Sequence, residues 1–152
     1  MPKHKPHNPR INVATTALAT WLFTAATSCS TTQTNSDATD VINIVAKLRL
    51  AANDQKRQPL EQLRNHQCRQ SDVCDTRRAC LEAYEHHVRG TEIGATLKQL
   101  IENSRSTEDR VTNADQYTAM LIEMNVEVEE ARMLMPVCDQ HVAELSHRIA
   151  FR

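Results

Sequence analysis

The amino-acid sequence predicts an all-α fold, a bundle of three to four helices stapled by disulfides. Residues that interrupt helices are scarce: the 152-residue chain has two glycines, Gly90 and Gly94, and only Pro59 and Pro136 of its five prolines follow residue 28. An aromatic content of 3% argues against a sheet-rich fold and against a stacking surface for bases or sugars. The last third of the chain carries a sustained heptad pattern, which is typical of long packed helices.

The first 28 residues differ in composition from the rest of the chain. Lys3, Lys5 and Arg10 precede an uncharged stretch over residues 11–28, and the first acidic residue is Asp37. A positive start, an apolar middle and small residues before a cleavage site are typical of an export signal. We therefore expect residues 1–28 to be a signal peptide.

The end of this stretch resembles the lipobox of bacterial lipoproteins. Ala26, Thr27 and Ser28 precede Cys29, although Leu is more common than Ala26 in that motif, and Gly or Ala more common than Ser28. The resemblance implies that Cys29 is lipidated and that the protein is anchored in the bacterial cell envelope. Ser30 after the cysteine implies the outer membrane, facing the periplasm. Two alternatives are an ordinary cleaved signal and an uncleaved membrane helix, since 18 uncharged residues just reach bilayer length.

The segment after Cys29 is polar and predicts a tether. Residues 30–38 offer almost nothing that can be buried, so this segment cannot offset its own ordering entropy. We expect residues 29–38 to form a flexible tether and residues 39–152 a single helical domain. From Cys29 onwards, 15 Lys and Arg stand against 19 Asp and Glu, a net charge of −4. This charge excludes a strongly basic nucleic-acid binder, and we expect no nucleic-acid partner.

Two helices are predicted before residue 70. The first should begin after a cap at Asp37 or Asp40 and present one apolar face. That face comprises Val41, Ile44, Val45, Leu48 and Ala52. Pro59 predicts the end of this helix or a bend, and Leu60 and Leu63 then belong to a short second helix.

A long helix is predicted to open near Ser71 or Asp72 and to run through Ile101. Its apolar residues are Ala79, Cys80, Ala83, Tyr84, Val88, Leu97 and Ile101. Gly90 and Gly94 lie one turn apart on it, so they either admit a neighbouring helix closely or mark a break. The polar stretch over residues 103–112 predicts a loop.

The last helix carries the heptad seam. From Ala114 onwards, apolar or small residues recur at spacings that alternate four and three after the first step. The seam comprises Tyr117, Leu121, Met124, Val128, Ala131, Met135, Cys138, Val142, Leu145 and Ile149. It predicts packing inside a bundle, with coiled-coil self-association as the alternative. Off the seam, a solvated face is predicted for Glu123, Glu127, Glu130 and Glu144.

Pro136 interrupts the hydrogen-bond pattern of this last helix. Proline removes one backbone hydrogen bond and clashes with the carbonyl four residues back. Because the seam keeps its phase on both sides of Pro136, we expect a kink rather than a restart.

Setting Cys29 aside leaves four cysteines, which in an exported chain indicate two disulfides. Cys74 and Cys80 cannot bond inside one helix, because six residues correspond to about 9 Å of rise and roughly 240° of rotation. Cys80 and Cys138 both lie on inward faces of long helices. We therefore favour a bond between Cys80 and Cys138, which leaves Cys68 to pair with Cys74.

A metal site is the competing interpretation of the polar residues. Glu82 and His86 lie one helical turn apart, beside His87, and the last helix offers His141 or His147. We favour a solvated face with contacts of Glu82 with His86 and of Glu85 with Arg89. A soft Cu(I) site is suggested by Met120, Met124, Met133 and Met135, but two of these lie on the seam and are explained by core packing.

Known cofactor and catalytic patterns are absent from the sequence. No Cys-x-x-Cys pair suits zinc, no Cys-x-x-Cys-His suits haem, and no nucleophile elbow, phosphate-binding glycine loop or His-Glu-x-x-His helix occurs. We therefore expect no cofactor, no metal and no enzymatic activity. The expected function is a structural or protein-interaction module of the envelope, whose partners are the membrane, an envelope protein, or a second copy through the C-terminal helix. The alternative is a periplasmic bundle that binds a metal or small ligand.

Overall fold

The computed structural model describes residues 29–104 and 106–151, and every regular element in these ranges is helical. The helices are α1 (Cys29–Leu50), α2 (Arg57–Asn65), α3 (Ser71–Asn103), α4 (Thr107–Thr112) and α5 (Ala114–Ala150), with a 3-10 turn at Asn53–Gln55. The predicted all-α class is confirmed, with one helix more than the predicted upper number. That helix, α4, lies in the predicted loop, where Ser106 and Asp109 cap it reciprocally. The predicted signal peptide lies outside the described residues.

Helices α3 and α5 form a long antiparallel hairpin. Four cross-helix pairs show the register, because the position on α3 rises as the position on α5 falls. From one end to the other they are Asp72 with Arg148, Cys80 with Cys138, Arg89 with Glu123, and Ser104 with Tyr117. At 1.5 Å per residue, α3 and α5 are roughly 50 and 55 Å long.

Helices α1 and α2 cover only one half of this hairpin. The core contains buried residues of α3 from Val73 to Val88 and of α5 from Cys138 to Leu145, packed with apolar side chains of α1 and α2. Arg49, near the end of α1, pairs with Asp139, and buried residues earlier on α1 share a core with Val142 and Leu145. Helix α1 therefore runs antiparallel to α5 and ends near the middle of the hairpin. We call this covered half the base. The other half, residues 89–130, is the arm, which consists of the adjoining ends of α3 and α5 with α4 between them. Helix α2 reaches the arm through the pair of Arg57 with Glu92.

Helix α1 begins earlier than predicted. The predicted cap at Asp37 or Asp40 is wrong, because both residues lie inside α1, which already includes Cys29. Residues 29–38 are helical where the sequence predicts a tether, and Ala38 is buried in the core. A helix held by buried residues such as Val41 and Val45 propagates at little cost, since each added residue gains one hydrogen bond and no Pro or Gly stops it.

The C-terminal end of α1 is fixed by a lysine from the next segment. The buried Lys56 donates a hydrogen bond from Nζ to the carbonyl of Leu48, one of the last carbonyls of α1. Leu50, two residues further on, is 89% exposed. The core formed by α1, α2, α3 and α5 therefore stops where α1 stops, and the arm extends beyond it.

Two disulfides join the chain in the predicted pairing. Cys80 and Cys138 are fully buried and link α3 to α5, with Cα atoms 4.5 Å apart. Cys68 lies in the connection before α3 and bonds Cys74 in the first turns of α3, with Cα atoms 5.3 Å apart. Both bonds belong to the base, so the arm is held by packing and polar contacts alone.

Helix α5 runs through Pro136 without a restart. Pro136 and Arg132 are both exposed, so the carbonyl of Arg132, which has lost its hydrogen-bond donor at position 136, is on the side that water reaches. The seam of α5 is buried in the base, at Ala131, Cys138, Val142 and Leu145. In the arm, Leu121 and Val128 of the same seam are exposed, because α1 and α2 do not cover α5 there.

The two glycines of α3 admit α5 rather than break α3, which is continuous through both. A Cβ atom at Gly90 would lie 3.1 Å from Cγ2 of Val128 and 3.4 Å from Cβ of Glu127. A Cβ atom at Gly94 would meet only Sδ of Met124, at 3.1 Å. Gly90 thus marks the closer approach of the two helices, whereas Gly94 faces a flexible side chain.

These surroundings predict opposite effects of alanine at the two glycines. Gly94→Ala should raise the free energy of unfolding by about 0.5–1 kcal/mol, because alanine is the better helix former and Met124 can move aside. Gly90→Ala should lower it by about 1 kcal/mol, because the β-branched Val128 and the Cβ of Glu127 cannot yield without separating the helices. Urea unfolding monitored by circular dichroism measures both; a Gly90→Ala protein as stable as Gly94→Ala would contradict the close approach.

Candidate functional site

Helix α5 carries a second apolar surface on its outside. Ile122, Val126, Met133 and Val137 are between 44% and 60% exposed. At 100° per residue, the four side chains lie within roughly 60° of one another and roughly 140° around the helix from the buried seam. We call these four residues the outer stripe. It faces away from α3 and begins in the arm.

Acidic residues border the outer stripe on both sides. Glu123 and Glu130 lie along one side of the stripe. Glu129 lies along the other side, next to the cationic Arg132. Glu123 pairs with Arg89 at 3.0 Å and Glu129 pairs with Arg132 at 2.9 Å. Glu130 forms no ion pair with any residue that the structure describes. The stripe is therefore apolar along its centre and has carboxylates along both edges, one of them paired with an arginine of the same edge.

Charge is distributed unequally between the arm and the rest of the predicted domain, residues 39–152. Residues 89–130 contain four Lys or Arg and nine Asp or Glu, a net charge of −5. Residues 39–88 and 131–152 together contain 11 Lys or Arg and nine Asp or Glu, a net charge of +2. The acidity predicted for the domain as a whole is thus concentrated in the arm.

A buried carboxylate lies where the arm meets the base. Glu127 is only 8% exposed; its Oε2 is 2.7 Å from Nδ1 of His86, and its Oε1 is 3.1 Å from Nε of Arg89. The prediction of a solvated Glu127 is wrong. The absent side chain of Gly90 leaves room for Glu127 between the helices, since a Cβ there would lie 3.4 Å from the Cβ of Glu127.

Removing this carboxylate should loosen the junction of base and arm. Glu127→Ala should lower the free energy of unfolding by about 2 kcal/mol, because the half-buried His86 loses its partner and a cavity opens beside Gly90. Glu123→Ala is the matched control: it removes the other partner of Arg89, but from an exposed site, and should change stability by less than about 0.5 kcal/mol. Equal effects of the two substitutions in thermal or urea unfolding would contradict a special role for the buried carboxylate.

The structure separates the two histidines of the alternative metal site. His86 contacts Glu127 on α5, whereas Nε2 of His87 lies 3.3 Å from Oδ1 of Asn53 in the 3-10 turn. Burial lowers the pKa of His87, and the positive charge of Lys56 lowers it further. His147 packs its ring against Phe151 near the far end of α5. In the described ranges, no group of three or more His, Cys, Asp or Glu is placed to hold a metal ion.

The remaining predicted contacts and ligands are also dispersed. Glu85 pairs with Arg64 of α2 rather than with Arg89, which binds Glu123 and Glu127 across the hairpin. The four cysteines after Cys29 are all in disulfides, so none of them is a free thiol that could bind a metal ion. Met133 lies on the outer stripe, on the opposite side of α5 from Met120, Met124 and Met135.

Cys29, the predicted lipid acceptor, is the first described residue of the chain and belongs to α1. It is the one cysteine of the five that takes no part in the two disulfides. Because α1 runs antiparallel to α5, the start of α1 lies towards the base and away from the tip of the arm. No helix in the described ranges is both long enough and apolar enough to span a bilayer.

Comparison with protein-family models, with curated proteins and with solved structures gives no match for this chain.

The outer stripe is the one part of this candidate site that the sequence patterns above did not predict. Its spacing, at positions i, i+4, i+11 and i+15, was a signal for a second apolar face of the last helix. The heptad seam already explained why α5 is apolar, and the stripe becomes visible only when the seam is seen to face α3.

Proposed function

We propose that this protein is a non-catalytic, lipid-anchored protein of the bacterial cell envelope, and that its outer stripe binds a helix of a partner protein. The observation that carries the proposal is the exposure of Ile122, Val126, Met133 and Val137 in one row on a helix already packed on its other side. Exposed apolar side chains gathered on one face of a helix, rather than scattered singly over the surface, favour an interaction site. A row of anchors at helical spacing suits another helix.

A second copy of the chain is a poorer occupant of the stripe. The spacing is symmetric, so two antiparallel copies would set Ile122 against Val137 and Val126 against Met133. The centre of that arrangement falls between Glu129 and Glu130 and would bring carboxylates of both copies together. Repulsion between these carboxylates opposes the association of two copies. This argument favours a different protein over self-association through α5.

The proposed anchor is supported by the lipobox-like sequence and by the cysteine pairing, which leaves Cys29 over. Its test is incorporation of labelled palmitate in bacterial cells that express the full chain. The wild-type protein should be labelled and Cys29→Ala should not. Label retained by Cys29→Ala would overturn the anchor without bearing on the stripe.

The proposed docking surface is tested by site-specific crosslinking in cells. A photoreactive amino acid at position 126 should give a crosslinked product with one other envelope protein, identified by mass spectrometry. The same amino acid at Val111, which is exposed on α4 and off the stripe, is the matched control. Met133→Gln should abolish the product formed from position 126. Products that are the same from both positions, or that survive Met133→Gln, would contradict docking at the stripe.

A further inference from the structure

We infer that the partner of the outer stripe is a cationic amphipathic helix, with an apolar row along its centre and Lys or Arg along its borders. This inference rests on the proposed function and names the chemistry of its partner. From Ile122 to Val137 the stripe extends for roughly 22 Å, or about four turns of helix. An occupant of the same length presents side chains at the spacing i, i+4, i+11 and i+15.

The border residues are available to a cationic partner. Glu130 has no ion pair with a described residue, and the pairs of Glu123 and Glu129 involve exposed partners, Arg89 and Arg132. Exposed pairs of this kind contribute little, about 0.2–1 kcal/mol each, so they can be exchanged or shared at small cost. Lysines or arginines of the occupant would thus gain carboxylate partners on both sides of the stripe.

The charge of the whole arm acts in the same direction. A net charge of −5 over residues 89–130 attracts a cationic partner before contact and repels an anionic one. It also distinguishes the stripe from a membrane-surface helix, whose polar face is rich in Lys and Arg and is drawn to anionic lipids. An apolar row with acidic borders suits a basic protein helix and not a lipid surface.

Two synthetic peptides of 18 residues test the inference against purified full-length protein. Both carry leucine at the stripe spacing; one has lysine on its borders and the other glutamate. In fluorescence anisotropy the lysine peptide should bind at least about tenfold more tightly than the glutamate peptide, and high salt should weaken its binding by about tenfold or more. Val126→Asn should abolish binding, whereas Val111→Asn should not.

Charge reversal identifies the border as the source of the preference. Glu129→Lys with Glu130→Lys should switch the preference to the glutamate peptide. The matched control is Glu102→Lys with Glu108→Lys, two exposed acids of the arm off the stripe, which changes the net charge by the same amount and should leave the lysine peptide preferred. All these side chains are exposed or half-buried, and unchanged melting temperatures verify folding.

Several results would overturn the inference. These are equal binding of the two peptides, an equal switch in the control variant, binding of the protein to anionic phosphatidylglycerol vesicles through Val126, and a dimer in sedimentation that Val126→Asn dissolves. If position 126 still gives its specific crosslink while the peptides bind without charge preference, the docking surface stands and the cationic partner does not. If the crosslink also fails, the proposed function itself is wrong.

Discussion

Replacing Cys80 and Cys138 together by alanine should lower the free energy of unfolding by roughly 4 kcal/mol, because the bond closes a long loop in the unfolded chain. The two residues are 58 positions apart, whereas Cys68 and Cys74 are 6 apart. The same chain-entropy argument gives the shorter loop roughly 2 kcal/mol. Each double alanine variant is therefore the control for the other.

Urea unfolding without added oxidant or reductant, monitored by circular dichroism, measures how much each double variant lowers the free energy of unfolding. The comparison is informative because alanine leaves no free thiol in either variant and fills most of the same space. A loss for Cys68 and Cys74 equal to or greater than that for Cys80 and Cys138 would show that loop closure is not the main contribution of the long-range bond.

Leu48→Ala should lower the free energy of unfolding by about 3 kcal/mol, as for other fully buried leucines whose removal leaves a cavity. Leu48 has no exposed surface and lies in the core between α1 and the hairpin. Leu50, on the same helix and 89% exposed, is the matched control, and Leu50→Ala should change stability by less than about 0.5 kcal/mol. Similar denaturation midpoints for the two variants would contradict the position of α1 against the core.

The helical class and the cysteine pairing were predictable because both depend on local geometry. Few helix breakers leave helices as the default, and the rotation between Cys74 and Cys80 excludes a bond within α3. The pairing of Cys80 with Cys138 then requires only that both cysteines face inward. These arguments use spacing along one helix at a time, which a sequence contains in full.

The candidate site was not predictable in the same way, because it depends on how far one helix extends along others. Whether Val128 or Leu121 is covered depends on α1 ending at Leu50, which the seam itself does not specify. The burial of Glu127 depends on its lying opposite Gly90 on another helix. Periodicity identifies the faces of a helix, but the partner of each face follows from the tertiary register.

The disulfide between Cys80 and Cys138 makes the whole arm part of a closed covalent ring. Residues 106–110 at the tip of this ring are exposed, which makes them one accessible place for a protease to cut. A single cut there opens the backbone of the ring but leaves both pieces joined through the disulfide in the base. The outer stripe would remain attached to Cys29 after such a cut, and only reduction of the bond combined with unfolding of the base would release it. Because of this ring, a cut at the tip does not detach the outer stripe from the predicted lipid anchor.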